Sequence, residues 1–140
     1  MQAQERNPME SPAALLAWEN QVRKNIERID LEQTWTKVEE RYSPELGQIS
    51  YQYAEDLLRI QTIDSTGSRQ YYLQGGTLFF ARTVHASASD EPFVEEFFFR
   101  GTTLIRWNLV GDCPAQKSAA VRNQQAHLLH TMVAALLALR

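Results

Sequence analysis

The sequence predicts an α+β fold: a six-stranded antiparallel meander sheet with an N-terminal and a C-terminal helix packed on one face. Three observations carry this. Residues 13–42 and 117–139 contain neither glycine nor proline, and their apolar residues recur at helical spacing. Between them, residues 48–110 are rich in Ile, Tyr, Phe, Thr and Trp, the composition of strands. Within that stretch Tyr51 and Leu58, Tyr71 and Leu78, and Phe97 and Leu104 each stand seven apart, with Glu55-Asp56, Gly75-Gly76 and Gly101-Thr102 as the turns between them.

Residues 1–10 form a polar, disordered lead-in, and residues 11–140 make one α+β domain. Ser11-Pro12 supplies an N-cap and a first-turn proline for a helical segment over 12–42. Leu15, Trp18, Val22, Ile26 and Ile29 lie on one stripe of it. A second series, Leu31, Trp35, Val38 and Tyr42, falls on the opposite side. Either the helix breaks near Asp30, or one long helix buries opposite faces along its two halves; the break is the simpler reading. Ser43-Pro44 and Gly47 end the segment.

Treating the three turns as two-residue loops fixes which residues oppose each other across the sheet of 48–110. The opposed pairs are then Tyr53 with Leu58, Tyr51 with Ile60, Leu73 with Leu78, Tyr71 with Phe80, and Phe99 with Leu104, all on one face. The reverse face starts polar with Gln52, Arg59 and Gln61 and becomes aromatic with Tyr72, Phe79, Phe98, Ile105 and Trp107. Ser65-Thr66-Gly67-Ser68 and the segment from Ser87 to Pro92 link the hairpins. After a joint at Gly111-Asp112-Cys113-Pro114, Val121, Leu128, Leu129, Met132, Val133, Leu136, Leu137 and Leu139 mark a helix over 117–139 that is apolar around more than half its circumference.

A length of 140 residues with a net charge of −3 suits one domain with a real core. Residues 114–140 carry 3 basic groups and no acidic one. No face gathers lysine and arginine as a nucleic-acid footprint would, so nucleic-acid binding is not expected. No apolar run approaches the ~20 residues of a membrane span. The single cysteine, Cys113, excludes an internal disulfide and a cysteine-based zinc site. The start, Met1-Gln2-Ala3-Gln4-Glu5-Arg6, has no apolar segment of a secretion signal. Localisation is left open by the sequence: exported if a signal peptide has been removed, otherwise cytoplasmic.

Catalytic patterns are sparse. His127 and His130 share a helix face, and His85 lies near a strand end, but two histidines do not complete a metal site. Glu39-Glu40, Asp90-Glu91 and Glu95-Glu96 are adjacent carboxylates; in a strand Glu95 and Glu96 face opposite sides and cannot share one substrate. Phosphate-binding glycine loops and nucleophile elbows are absent. No catalytic residue, metal or cofactor is assigned, and the chain is expected not to be an enzyme. Arg59, Arg69, Arg82, Arg100 and Arg106 are spread along the strands.

The segments Tyr71-Tyr72-Leu73-Gln74-Gly75-Gly76-Thr77-Leu78-Phe79-Phe80 and Phe97-Phe98-Phe99-Arg100-Gly101-Thr102-Thr103-Leu104-Ile105-Arg106-Trp107 resemble hairpins of uncharacterised secreted bacterial β-meander proteins. That resemblance implies an exported, non-enzymatic protein, and it transfers no functional residue. The leading expectation is a non-catalytic binding or interaction domain. Its aromatic patch of Tyr72, Phe79, Phe98, Ile105 and Trp107 would meet a protein partner or a second copy. Two alternatives are a small-ligand carrier or enzyme with a cavity between sheet and helices, lined by Tyr51, Tyr53 and Tyr71, and an inhibitor of an extracellular enzyme.

Overall fold

The computed structural model describes residues 11–86, 93–109 and 118–140. The expectations for residues 1–10, for the 87–92 link and for the Gly111–Pro114 joint lie outside these residues. The chain groups into two compact units, Met1–Gln33 and Thr34–Arg140.

The first unit is helix α1, Pro12–Glu32. Ser11 caps it as expected: its hydroxyl accepts from the Ala14 N–H at 3.1 Å, and Pro12 fills the first helical position where an N–H would have no partner. Ile26 and Ile29 of the apolar stripe are buried, and Leu15, Trp18 and Val22 are half-buried. The helix closes with the Gln33 N–H on the Ile29 carbonyl.

The helical segment expected through residue 42 stops at Glu32, and Lys37–Ser43 forms strand β1 instead. The spacing of Leu31, Trp35, Val38 and Tyr42 imitates a helix. From Lys37 onward pairing with β2 decides it, placing Lys37, Glu39 and Arg41 on one face and Val38, Glu40 and Tyr42 on the other. The Pro44–Gly47 stretch, taken as a helix end, is a hairpin link that pairs Ser43 with Gly47.

Seven strands therefore make the sheet of the second unit, not six. After β1 come β2 (Gly47–Ala54), β3 (Leu57–Asp64), β4 (Gly67–Gln74), β5 (Thr77–His85), β6 (Phe93–Arg100) and β7 (Thr103–Leu109). They lie in sequence order and every neighbouring pair is antiparallel. Gly75 and Gly76 both have positive φ, at 58° and 83°, and Gly101 has φ 63°, as their two-residue loops require. Gly67 is bound to its position by a different constraint: a Cβ there would run into the Val84 carbonyl of the neighbouring strand.

Four of the five expected opposed pairs occur: Tyr53 with Leu58, Tyr51 with Ile60, Leu73 with Leu78, and Phe99 with Leu104. The fifth does not. The register shifts between Tyr72 and Leu73, so Phe79 has no opposite residue, Tyr71 faces Ala81, and Phe80 pairs with Tyr72 on the reverse face. A second shift between Phe98 and Phe99 leaves Ile105 unopposed and places Trp107 opposite Phe97. Each bulge inserts one residue just after a tight turn and reverses the side on which all later residues of that strand point.

Helix α2, Ala119–Ala138, lies on the face that carries Tyr51, Ile60, Tyr71, Leu73, Phe97 and Phe99. Ser118 caps its start, accepting from the Val121 N–H at 3.2 Å. Ala126, Leu129, Val133 and Leu136, spaced 3, 4 and 3, form its buried stripe, with Met132 and Leu137 beside it. The Tyr51 hydroxyl donates to the Leu136 carbonyl across the buried seam. That carbonyl, in the last helical turn, also accepts from the Leu139 N–H at 3.2 Å, so the hydroxyl is its second donor. Near the middle of the helix His130 Nε2 donates to the Thr102 carbonyl at 3.1 Å, and its ring meets Phe99 edge-on at 5.0 Å. Burial raises the Tyr51 hydroxyl above its usual pKa and pushes Tyr71 up to about 12.

Two outcomes follow from this packing. Glu55 is held at φ 51°, a left-handed conformation costly for glutamate. Glu55→Asn should therefore raise unfolding stability by about 0.5–1 kcal/mol in urea, asparagine tolerating that conformation better. At alkaline pH, Tyr71 ionises near 10 when unfolded and only at about 12 when folded. Its contribution is fully present below pH 10 and disappears as pH rises through 12, a loss of about 2–3 kcal/mol in the unfolding free energy. Tyr71→Phe should remove that part of the alkaline decline, measured by urea melts across this range.

Candidate functional site

The structure does not assemble Tyr72, Phe79, Phe98, Ile105 and Trp107 into one solvent-facing patch. Tyr72 and Phe98 are fully buried, while Phe79, Ile105 and Trp107 are half-buried. On the reverse face Tyr72, Phe80 and Phe98 stand side by side across β4, β5 and β6. Their rings meet edge to face, with centroids 5.6 Å and 5.0 Å apart. Phe79, at its bulge, touches Tyr72 at 6.4 Å. Trp107 belongs to the opposite, α2-bearing face, where its ring lies 5.4 Å from Phe97. The extra residue at Ile105 is the cause: without it Trp107 would have fallen opposite Glu96.

Trp107 also orders a histidine–carboxylate pair on that face. Its indole N–H donates to Glu95 Oε2 at 2.8 Å, and His85 Nε2 lies 2.6 Å from Glu95 Oε1. The His85 ring stacks on Phe93 at 4.3 Å. Both carboxylate oxygens are thus engaged, an arrangement that fixes strand ends together. Glu96 points the other way, is buried, and sits 4.0 Å from Arg82 Nε. His127 is exposed on α2 and His130 is tied to Thr102, so the three histidines serve separate places. Among the described residues no group of three or more His, Cys, Asp or Glu side chains converges.

Of the three tyrosines expected to line a cavity under α2, Tyr51 and Tyr71 are packed, and Tyr53 borders an open concavity. Tyr51 and Tyr71 are buried in the core, and Tyr53 donates to Glu39 Oε1 at 3.0 Å. That hydrogen bond, with Lys37 and Arg41 beside it, holds the Glu39 carboxyl below the usual range. That concavity, of about 450 Å³, lies among Tyr53, Glu55, Asp56, Leu58, Leu137 and Arg140 at the turn end of the sheet.

The accessible part of the reverse face is at β1, β2 and β3. Its side chains form three rows across the strands: Val38, Gln52 and Arg59; Glu40, Ser50 and Gln61; Tyr42, Gln48 and Ile63. Val38 is 51% exposed, Tyr42 72% and Ile63 57%, unusual for three large apolar residues on one sheet face. On this face runs a shallow groove of about 260 Å³ lined by Val38, Glu40, Gln48, Gln52, Gln61 and Ile63. Arg59 closes one end, its Nε on Gln52 Oε1 at 2.6 Å and its guanidinium 4.9 Å from the Trp35 ring. The sequence reading had Gln52, Arg59 and Gln61 on this face but missed Val38, Tyr42 and Ile63. Val38 and Tyr42, four apart, share a face in a helix and in a strand alike, so their spacing did not reveal the strand.

No protein-family model, curated protein or solved structure matches this chain.

Trp107 gives a direct check on these placements. Trp107→Phe keeps an aromatic ring on Phe97 but removes the donor to Glu95, and should cost about 1.5–3 kcal/mol in urea unfolding. Trp107→Glu should destabilise the fold far more. A Trp107→Glu protein as stable as the parent would place this side chain at the surface.

Proposed function

We propose that this chain is a non-catalytic interaction domain that binds a protein partner through the reverse face of β1, β2 and β3. The observation that carries it is the groove lined by exposed Val38 and Ile63, with exposed Tyr42 on the same sheet face. Apolar side chains grouped on a surface and rimmed by polar ones are the usual mark of a contact surface. Here the rim is mostly uncharged, with Gln48, Gln52 and Gln61 each able to donate and accept hydrogen bonds through one amide. Such a surface suits an uncharged, partly apolar stretch of polypeptide. The aromatic patch is not part of this proposal, since Tyr72 and Phe98 are buried and Trp107 faces the other way.

The non-catalytic reading is supported by what the polar side chains do. The Glu95 carboxylate is occupied by His85 and Trp107, Glu39 by Tyr53 and two cations, and Asp64 by Thr66 and Arg69. These contacts are structural ties between strands and turns.

Affinity capture from native extract with the parent and a Tyr42→Glu/Ile63→Glu variant tests the surface. A discrete protein held by the parent and lost from the folded variant is the expected result. Identical captured sets from both would contradict it.

A further inference from the structure

We propose that the outer edge of β1 is a self-association surface, on which a second copy of this chain pairs antiparallel about a two-fold axis through Glu40. This rests on the strand edge and shares Val38 and Tyr42 with the partner surface proposed above, whereas Ile63 belongs to that surface alone. Among the described residues β1 pairs only with β2 and is an edge of the sheet, its Glu40 carbonyl accepting from Arg41 Nη1 at 2.9 Å. An edge of this kind is completed by another strand, and the side chains decide which strand it accepts.

In an antiparallel two-fold pair, directly opposed residues share a face, so the axis must pass through a residue. Three axes are available near the middle of KVEERYS. An axis through Glu39 sets Lys37 against Arg41 of the second copy and Val38 against its Glu40. An axis through Arg41 sets two arginines against each other and Val38 against Pro44, which has no N–H to offer. An axis through Glu40 sets Glu39 against Arg41 twice on the α2-bearing face, and Val38 against Tyr42 twice on the reverse face. Opposite charges and apolar–aromatic pairs directly opposed stabilise a ladder, and like charges weaken it. Only the third arrangement satisfies both faces.

The side chains are poised for it. Val38 and Tyr42 are 51% and 72% exposed, and each would cover the other. Glu39 is held on the α2-bearing side by the Tyr53 hydroxyl, with Lys37 Nζ at 3.3 Å and Arg41 at 3.9 Å. In the pair, two carboxylates and two guanidinium groups form a closed square. Charged residues on an edge strand normally block pairing; here their order excludes the neighbouring registers and leaves one. The single opposing contact is Glu40 against its own copy on the axis. A seven-residue ladder with one such contact is a small interface, so association is reversible and concentration-dependent.

Sedimentation equilibrium at protein concentrations up to about 1 mM tests this. The parent should show a monomer–dimer equilibrium. Glu39→Arg and Arg41→Glu should each be monomeric, because like charges then oppose. Mixed one to one they should restore the dimer, because arginines of one chain meet glutamates of the other. A parent that stays monomeric, single variants that still dimerise, or a mixture that stays monomeric would each overturn the proposal. Glu40→Gln leaves the Glu39 contacts untouched and should tighten the dimer about threefold or more; an unchanged or weaker dimer would overturn it as well. Tyr42→Glu/Ile63→Glu is not a control here, because Tyr42 is in the ladder, but Ile63→Glu alone should lose the captured partner and keep the dimer.

Discussion

Every side-chain placement in this sheet depends on parity, the odd or even number of residues between a tight turn and the position in question. A two-residue loop sets the first opposed pair, and from there each residue is committed to one face or the other. One inserted residue reverses the commitment for the rest of the strand. The paired register from Tyr51 to Phe99 gives α2 a continuous apolar floor, and the insertions at Phe79 and Ile105 send Phe80 away from that floor and bring Trp107 onto it.

The two bulges redistribute bulk between the faces. Without the first, Phe80 would project toward α2 at the position Ala81 now fills opposite Tyr71 and Phe97. The small alanine lets large rings on either side share the seam. Phe80 joins Tyr72 and Phe98 in an edge-to-face row on the reverse side instead. Two hydrogen bonds then tie the helix to the sheet, Tyr51 to the Leu136 carbonyl in its last turn and His130, near its middle, to the Thr102 carbonyl. One reaches a carbonyl in the last turn of α2 and the other a carbonyl in the β6–β7 turn, so both join the helix to the sheet.

Much of this was legible in the sequence, and the misses have definite physical sources. Ser11-Pro12 announced α1, the glycine pairs announced two hairpins, and the seven-residue spacing placed nine of the ten expected floor residues correctly. Glu55-Asp56, a poor turn by composition, still makes an uninterrupted hairpin, because the apolar pairs on either side of it outweigh one left-handed glutamate. Strand β1 was hidden by coincidence: Leu31, Trp35, Val38 and Tyr42 fit a helical period that tertiary pairing overrode. The bulges left no local mark at all, since Phe79 and Ile105 are ordinary strand residues and only the demand of both faces reveals them. The accessible surface was lost with β1, because Val38 and Tyr42 gain their exposure from the strand that was read as helix.

The turn-and-parity account is tested most directly by backbone nuclear Overhauser contacts across the β4–β5 and β6–β7 ladders. It predicts contacts linking Tyr72 with Phe80, Tyr71 with Ala81, and Phe97 with Trp107. Contacts linking Tyr71 with Phe80, and Glu96 with Trp107, would mean unbulged strands and would contradict it.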